Sequence, residues 1–94
     1  MIIIWYVTES IWCNEELMYD SISSMCKTKE IAERELQKSI EHIKAVKNDL
    51  GYGECISEYF YCDGADVRHL NLTYKKDKNL TYNWRIKGRI LIES

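Results

Sequence analysis

The sequence predicts a single α+β domain spanning residues 1–94, an antiparallel sheet of four to five strands with one long helix packed on one face. Three observations carry that prediction. Residues 28–50 repeat apolar side chains at helical spacing, with a cap at each end. Residues 1–8 and 55–62 are β-branched and aromatic. Residues 67–92 alternate apolar and polar side chains on both sides of a polar turn, the period-two pattern of a hairpin with one buried face.

The helix is the clearest element. Thr28 is a good N-cap, and Glu30 sits in the first turn, where the helix dipole favours an acid. Ala32, Leu36, Ile40, Ile43, Val46 and Leu50 fall on one stripe, Ile31 widens it, and Gly51 supplies a left-handed stop. About 22 helical residues would reach roughly 33 Å, and a single apolar stripe of that length belongs on a sheet.

The strands follow in chain order. Met1–Thr8 is apolar on both alternating sets, which predicts a central strand covered on both faces. Residues 9–16 read as a connection, with Trp12 half-exposed or folded back. Leu17–Cys26 admits two readings. Met18, Ile22 and Met25 suit a short helix capped by Asn14, whereas the Ser21–Ser24 run suits a strand; the strand is favoured and the helix stays open. In Cys55–Cys62, Ile56, Phe60 and Cys62 share one face broken by Glu58, with Tyr59 and Tyr61 on the other, and Asp63–Gly64 is a turn signal.

The C-terminal hairpin admits a register argument. Leu70, Leu72 and Tyr74 share a face, as do Tyr82, Trp84 and Ile86. A three-residue loop, Asp77–Asn79, keeps both sets together by pairing Tyr74 with Tyr82, Leu72 with Trp84 and Leu70 with Ile86. The opposite face then carries His69, Asn71, Thr73 and Lys75 across from Lys87, Arg85, Asn83 and Thr81. Gly88 reads as a bulge, after which Ile90 and Ile92 continue the strand.

Composition bounds the function. The chain is 46% apolar and 30% charged and has no proline, so it is neither disordered nor low-complexity. Residues 2–7 are too short an apolar run to span a membrane, and no Lys or Arg precedes them as in a signal peptide, so a cytoplasmic protein with reduced thiols is expected. The net charge of −2 conceals a split: residues 1–66 hold 6 basic and 13 acidic side chains, and residues 67–94 hold 7 and 2. Cys13, Cys26, Cys55 and Cys62 lack C-x-x-C spacing, and His42 and His69 lie elsewhere, so no metal site and no cofactor are expected. There is no serine elbow, no Cys–His signature and no phosphate-binding glycine loop, so no catalytic residue is assigned and the chain is read as a non-enzyme.

Two sets of residues remain as candidate partner-binding surface. His69, Asn71, Lys75, Asn83, Arg85 and Lys87 gather hydrogen-bond donors on the polar hairpin face, suited to an anion, a nucleotide, nucleic acid or an acidic protein. A solvated antiparallel sheet needs polar residues there in any case. Trp12, Tyr59 and Tyr61 belong to an aromatic set, with Trp5, Tyr52, Tyr82 and Trp84, that exceeds what one small core holds; such residues are enriched in interface hot spots and suit a protein partner or a homodimer seam.

The opening Trp5-Tyr6-Val7-Thr8-Glu9-Ser10 and the later Cys26-Lys27-Thr28-Lys29-Glu30-Ile31-Ala32-Glu33 resemble a type of small accessory protein encoded by tailed phages. The resemblance covers about a third of the chain and departs from it at the C-terminal hairpin. It implies a β-β-α-β-β-β order and a viral accessory role, and it brings no functional residues. The expectation is a non-enzymatic protein that binds and inhibits a host defence protein, similar to anti-CRISPR inhibitors. A nucleotide or nucleic-acid binder using the basic hairpin face and a structural protein dimerising through aromatic strands are the alternatives.

Overall fold

A computed structural model gives the fold and describes residues 2–62 and 68–91. The elements run β1 (Ile2–Cys13), β2 (Glu16–Cys26), α1 (Lys29–Asp49), β3 (Cys55–Cys62), β4 (Arg68–Tyr74) and β5 (Asp77–Leu91). The strands form one antiparallel sheet in the order β2-β1-β5-β4-β3. The expected class and element order are therefore correct, and residues 17–26 are strand. The Asp63–Gly64 turn and Ile92 lie outside the described residues.

The order explains the long helix. The strands flanking α1 in sequence, β2 and β3, are the two edges of the sheet. The connection must cross four strand intervals, about 19 Å at 4.8 Å each, and 21 helical residues reach about 32 Å. Thr28 starts the helix as expected: its backbone is extended and its Oγ1 accepts from the Ile31 N–H at 3.1 Å. Gly51 ends it at φ +70°, in the left-handed region that favours glycine.

Ala32, Leu36 and Ile40 are buried where α1 crosses β1, β2 and β5. The end of the expected stripe needs correction. Leu50 is exposed and Val46 only half-buried, while Lys47 is 7% exposed. Past Gly51 the chain folds back and brings Tyr52 under the last turn, so the Lys47 ammonium lies 3.8 Å from the Tyr52 ring centroid and 4.9 Å from that of Tyr82. A lysine stem covers apolar surface as well as a valine does, and ring faces attract its charge. Burial acts to lower the Lys47 pKa, but the Tyr82 and Tyr52 hydroxyls outweigh it and hold the pKa above the ordinary lysine value.

Leu70, Leu72, Tyr74, Tyr82, Trp84 and Ile86 are all buried on the helix side, as the alternation requires. Their register differs from the expected one by two residues: Leu70 pairs with Trp84 and Leu72 with Tyr82. A shift of two preserves the faces, so periodicity alone does not exclude it. The turn lies at Lys75–Lys76, not at Asp77–Asn79, and an irregularity after Thr73 takes up the extra residues. Three contacts from outside the hairpin hold this arrangement. The Lys75 and Lys76 N–H groups donate to the Glu54 and Tyr52 carbonyls at 2.9 and 3.3 Å, and Leu80 is held opposite Cys13 of β1.

β1 is longer than expected and absorbs most of the supposed connection; the link to β2 is only Asn14–Glu15, both at positive φ (52° and 68°). This is the turn geometry that matches strand twist in a two-residue hairpin, and asparagine suits its first position. Glutamate does not suit the second. Glu15→Gly is expected to raise stability by about 0.5–1 kcal/mol, because relief of left-handed strain exceeds the extra chain entropy. Urea unfolding measures this, and a loss of stability would refute the turn geometry.

β1 is central, but it is covered on one face only. Val7 is fully buried and Trp5 and Ile11 pack on the same core, whereas the opposite face has no element over it among the described residues. Gly88 is not a bulge: it pairs in register with Trp5, whose indole lies across it. On β3, Ile56 sits at a pairing irregularity between Cys55 and Ser57, and both it and Phe60 are exposed, since α1 lies over the other half of the sheet and reaches β3 through the Lys44–Glu58 ion pair.

Candidate functional site

The uncovered face of the sheet is assembled by register. Alternation from buried Val7 on β1 and from Trp84 and Ile86 on β5 places Tyr6, Thr8, Ser10 and Trp12 on the uncovered side, beside Asn83, Arg85, Lys87 and Arg89. The ladders connect them in rows. Asp20, Ser10, Asn83 and Asn71 run across four strands, and Ile22, Thr8, Arg85 and His69 form the next row. Met25, Tyr6 and Lys87 form a third, and Ile4 faces Arg89.

Two irregularities in the β1–β2 pairing shape the outer edge. An extra residue lies opposite each of the Val7/Thr8 and Ile11/Trp12 steps, Ser23 at the first and Met18 at the second. Ser23 is held there by a hydrogen bond from its hydroxyl to the Val7 carbonyl at 3.3 Å. These bulges reset the alternation, so Leu17, Ile22 and Met25 all come to the uncovered side. All three are exposed, Met25 at 69%.

The face therefore has an apolar margin on β2 and a cationic strip on β5. Arg85, Lys87 and Arg89 project at alternate positions, about 7 Å apart along the strand. A hollow of about 350 Å³ between margin and strip is lined by Trp12, Leu17, Asp20, Asn83, Arg85 and Lys87, among others. A second, of about 300 Å³, lies between Tyr6, Ile22, Lys87 and Arg89. Toward β4 the described face is polar and internally bonded: the Asn83 amide donates to the Asn71 side chain, and the Thr73 and Thr81 hydroxyls lie 3.3 Å apart.

The expected site residues divide on this geometry. Asn71, Asn83, Arg85, Lys87 and Trp12 share the uncovered face. His69 occupies its row opposite Arg85 but is only 5% exposed, so it supports the surface from beneath and does not meet a partner first. Lys75 belongs to the turn and not to the polar row. Tyr59 and Tyr61 pair with Asn71 and His69 in the backbone ladder; their side chains lie outside the described residues. The aromatic surplus is smaller than expected, because Trp84, Tyr82, Trp5 and Tyr52 all belong to the core or pack against it.

Arg89, Tyr6, Ile22 and Met25 escaped the sequence reading. The i, i+2 spacing from Arg85 through Lys87 identifies Arg89, a signal hidden by reading Gly88 as a bulge. Ile22 and Met25 carry no such signal, since only the bulges put them on one side.

Among the described residues, no three His, Cys, Asp or Glu side chains come together in a metal-binding group. Cys13, Cys26 and Cys55 are free thiols. Burial, with the Glu35 carboxylate nearby, pushes the Cys26 thiol above its ordinary pKa, the reverse of what a nucleophile needs. No described helix is long and apolar enough to cross a membrane. No family model, curated protein or solved structure matches the chain.

Proposed function

We propose that this chain is a non-enzymatic binding protein that docks the uncovered face of its sheet onto an acidic patch of another protein and blocks it. The observation that carries this reading is the pairing of three cations on β5 with the exposed apolar margin of β2 on a face that nothing else among the described residues covers. Apolar side chains supply desolvation at the centre of an interface, and cations at its side set orientation and on-rate. The phage-type resemblance favours a partner among host defence proteins, in the host cytoplasm.

A nucleotide or single-stranded nucleic acid is the second reading, because Trp12 and Tyr6 flank the same cations and aromatic rings beside arginine suit stacked bases. It is the weaker one. Asp20 lines the hollow with Arg85 and Lys87, and Glu15 borders the neighbouring hollow with Trp12, so a polyphosphate meets carboxylates at the same surface.

Affinity capture from a bacterial host lysate tests the proposal. The expected result is one stoichiometric protein that is lost when Arg85 and Lys87 are both changed to glutamate. Recovery of nucleic acid with a steep salt dependence would favour the second reading, and capture unaffected by the double change would refute the proposed face.

A further inference from the structure

β2 is an edge strand of 11 residues whose outer backbone groups have no strand partner among the described residues. Edge strands in proteins that remain monomeric are commonly blunted by lysine, proline, an inward charge or a bulge; of these β2 has two bulges, at Met18 and Ser23, which leave Tyr19–Ile22 regular between them. β2 has no basic residue and no proline, and its only charges are Glu16 and Asp20. It exposes Leu17, Met18, Tyr19, Ile22 and Met25 instead. An open ladder with so much apolar surface is suited to strand pairing, and the pattern of faces fits a second copy of the same strand.

We infer that β2 pairs antiparallel with β2 of a second copy, about a two-fold axis at Ser21, to make a continuous ten-stranded sheet. The register follows from the faces. Leu17, Asp20, Ile22 and Met25 lie on the uncovered side. Centring the axis on Ser21 sets Leu17 opposite Met25 of the second copy and Asp20 opposite Ile22, each pair on one face. Shifting the axis by half a residue sets uncovered-side residues against helix-side ones. Shifting it by one residue toward the C-terminus sets Leu17 against Lys27 and Asp20 against Ser24, which lies on the helix side. Shifting it by one residue toward the N-terminus sets Asp20 against Asp20, so the Ser21 axis is the one that joins regularly paired apolar residues of one face, Leu17 and Met25, in both halves.

The contact is of dimer size. Eleven antiparallel residues extend about 37 Å and offer on the order of ten backbone hydrogen bonds, the number a typical stable interface carries; the Met18 and Ser23 irregularities remove some of these. The two Asp20 carboxylates lie diagonally, about 7–8 Å apart, and each already lines a hollow with Arg85 and Lys87 of its own copy. The two cationic strips would then stand five strand intervals apart, about 24 Å, on one continuous face.

Sedimentation equilibrium and cysteine cross-linking test this. The intact chain is expected to sediment at twice 11.2 kDa at tens of micromolar, and Ile22→Lys with Met25→Lys to return it to monomer with an unchanged circular dichroism spectrum. If that variant unfolds, Ser21→Cys decides. Opposed residues on antiparallel strands lie about 4.5–5.5 Å apart at Cα, within disulfide range. Mild oxidant should join the introduced thiols of two Ser21→Cys copies, shown by the mass of the joined peptide, while Gln37→Cys on the exposed helix face should not link. A monomer at every concentration up to about 200 μM, far above the affinity of a stable interface of this size, or equal linkage at both positions, would overturn the inference.

Discussion

Trp84→Ala is expected to remove about 3–5 kcal/mol of stability, the range for truncating a large aromatic in a packed core. Trp84 is 0% exposed and the largest fully buried side chain described. Its ring stacks on Tyr82 at a centroid distance of 6.3 Å, and its Nε1–H donates to Glu9 Oε2 at 3.3 Å. Truncation leaves a cavity beneath α1 and an acid without that donor. For a domain of this size each kcal/mol lowers the melting temperature by about 4–8 °C, so a fall on the order of 15–30 °C is expected by circular dichroism. Trp84→Phe, which retains most of the ring volume, should lose less than half as much. A change below about 1 kcal/mol for the alanine variant, within the range of surface substitutions, would mean that the sheet–helix core lies elsewhere.

Gly88→Val reads the other close contact of the central strand pair. In a strand, valine for glycine ordinarily stabilises. Here a Cβ would sit 2.9 Å from Cζ3 of Trp5 and 3.1 Å from Cη2, with Cε3 at 3.2 Å. The indole is broad and packed against the core, so it cannot move aside as a flexible chain tip does. A loss of about 1–3 kcal/mol is expected from the overpacking. The sign should reverse when Trp5→Ala is made first, because the clash then disappears and only the strand preference of valine remains. Urea unfolding of the four members of this cycle gives the coupling directly; additive effects would contradict the Trp5–Gly88 stack.

The helix and the two-faced hairpin were legible because each is specified by residues close in sequence. Thr28, Gly51 and the Ala32–Leu36–Ile40 spacing define α1 without reference to any other element. The turn positions were not, because they are settled by partners far along the chain. Lys75 and Lys76 are held by the Tyr52–Glu54 segment, and Leu80 by Cys13. The β1–β2 turn was missed for a different reason: Asn14-Glu15 is an unusual pair for that geometry, and Glu15 carries strain that glycine would not. The candidate surface was half legible. Alternation put Arg85 and Lys87 on one face, but it could not show that β1 and β2 complete that face, or that two bulges turn Ile22 and Met25 toward it. Lys47 shows the limit of the helical stripe, since a lysine between two tyrosine rings is buried where a valine was expected.

Under the proposed function, the β5 cations on the uncovered face bind an acidic protein surface. The most direct test is the affinity of the captured partner for the Arg85→Glu, Lys87→Glu double variant, measured by isothermal titration calorimetry against a Lys38→Glu control. Lys38 lies on the exposed side of α1, beside Glu35. Reversing two cations at a complementary interface, at about 1.5–3 kcal/mol each, should weaken binding at least 100-fold, with folding unchanged and the control within about twofold. Unchanged affinity for the double variant, with a loss for Lys38→Glu, would place the interface on the helix and rule out the uncovered face.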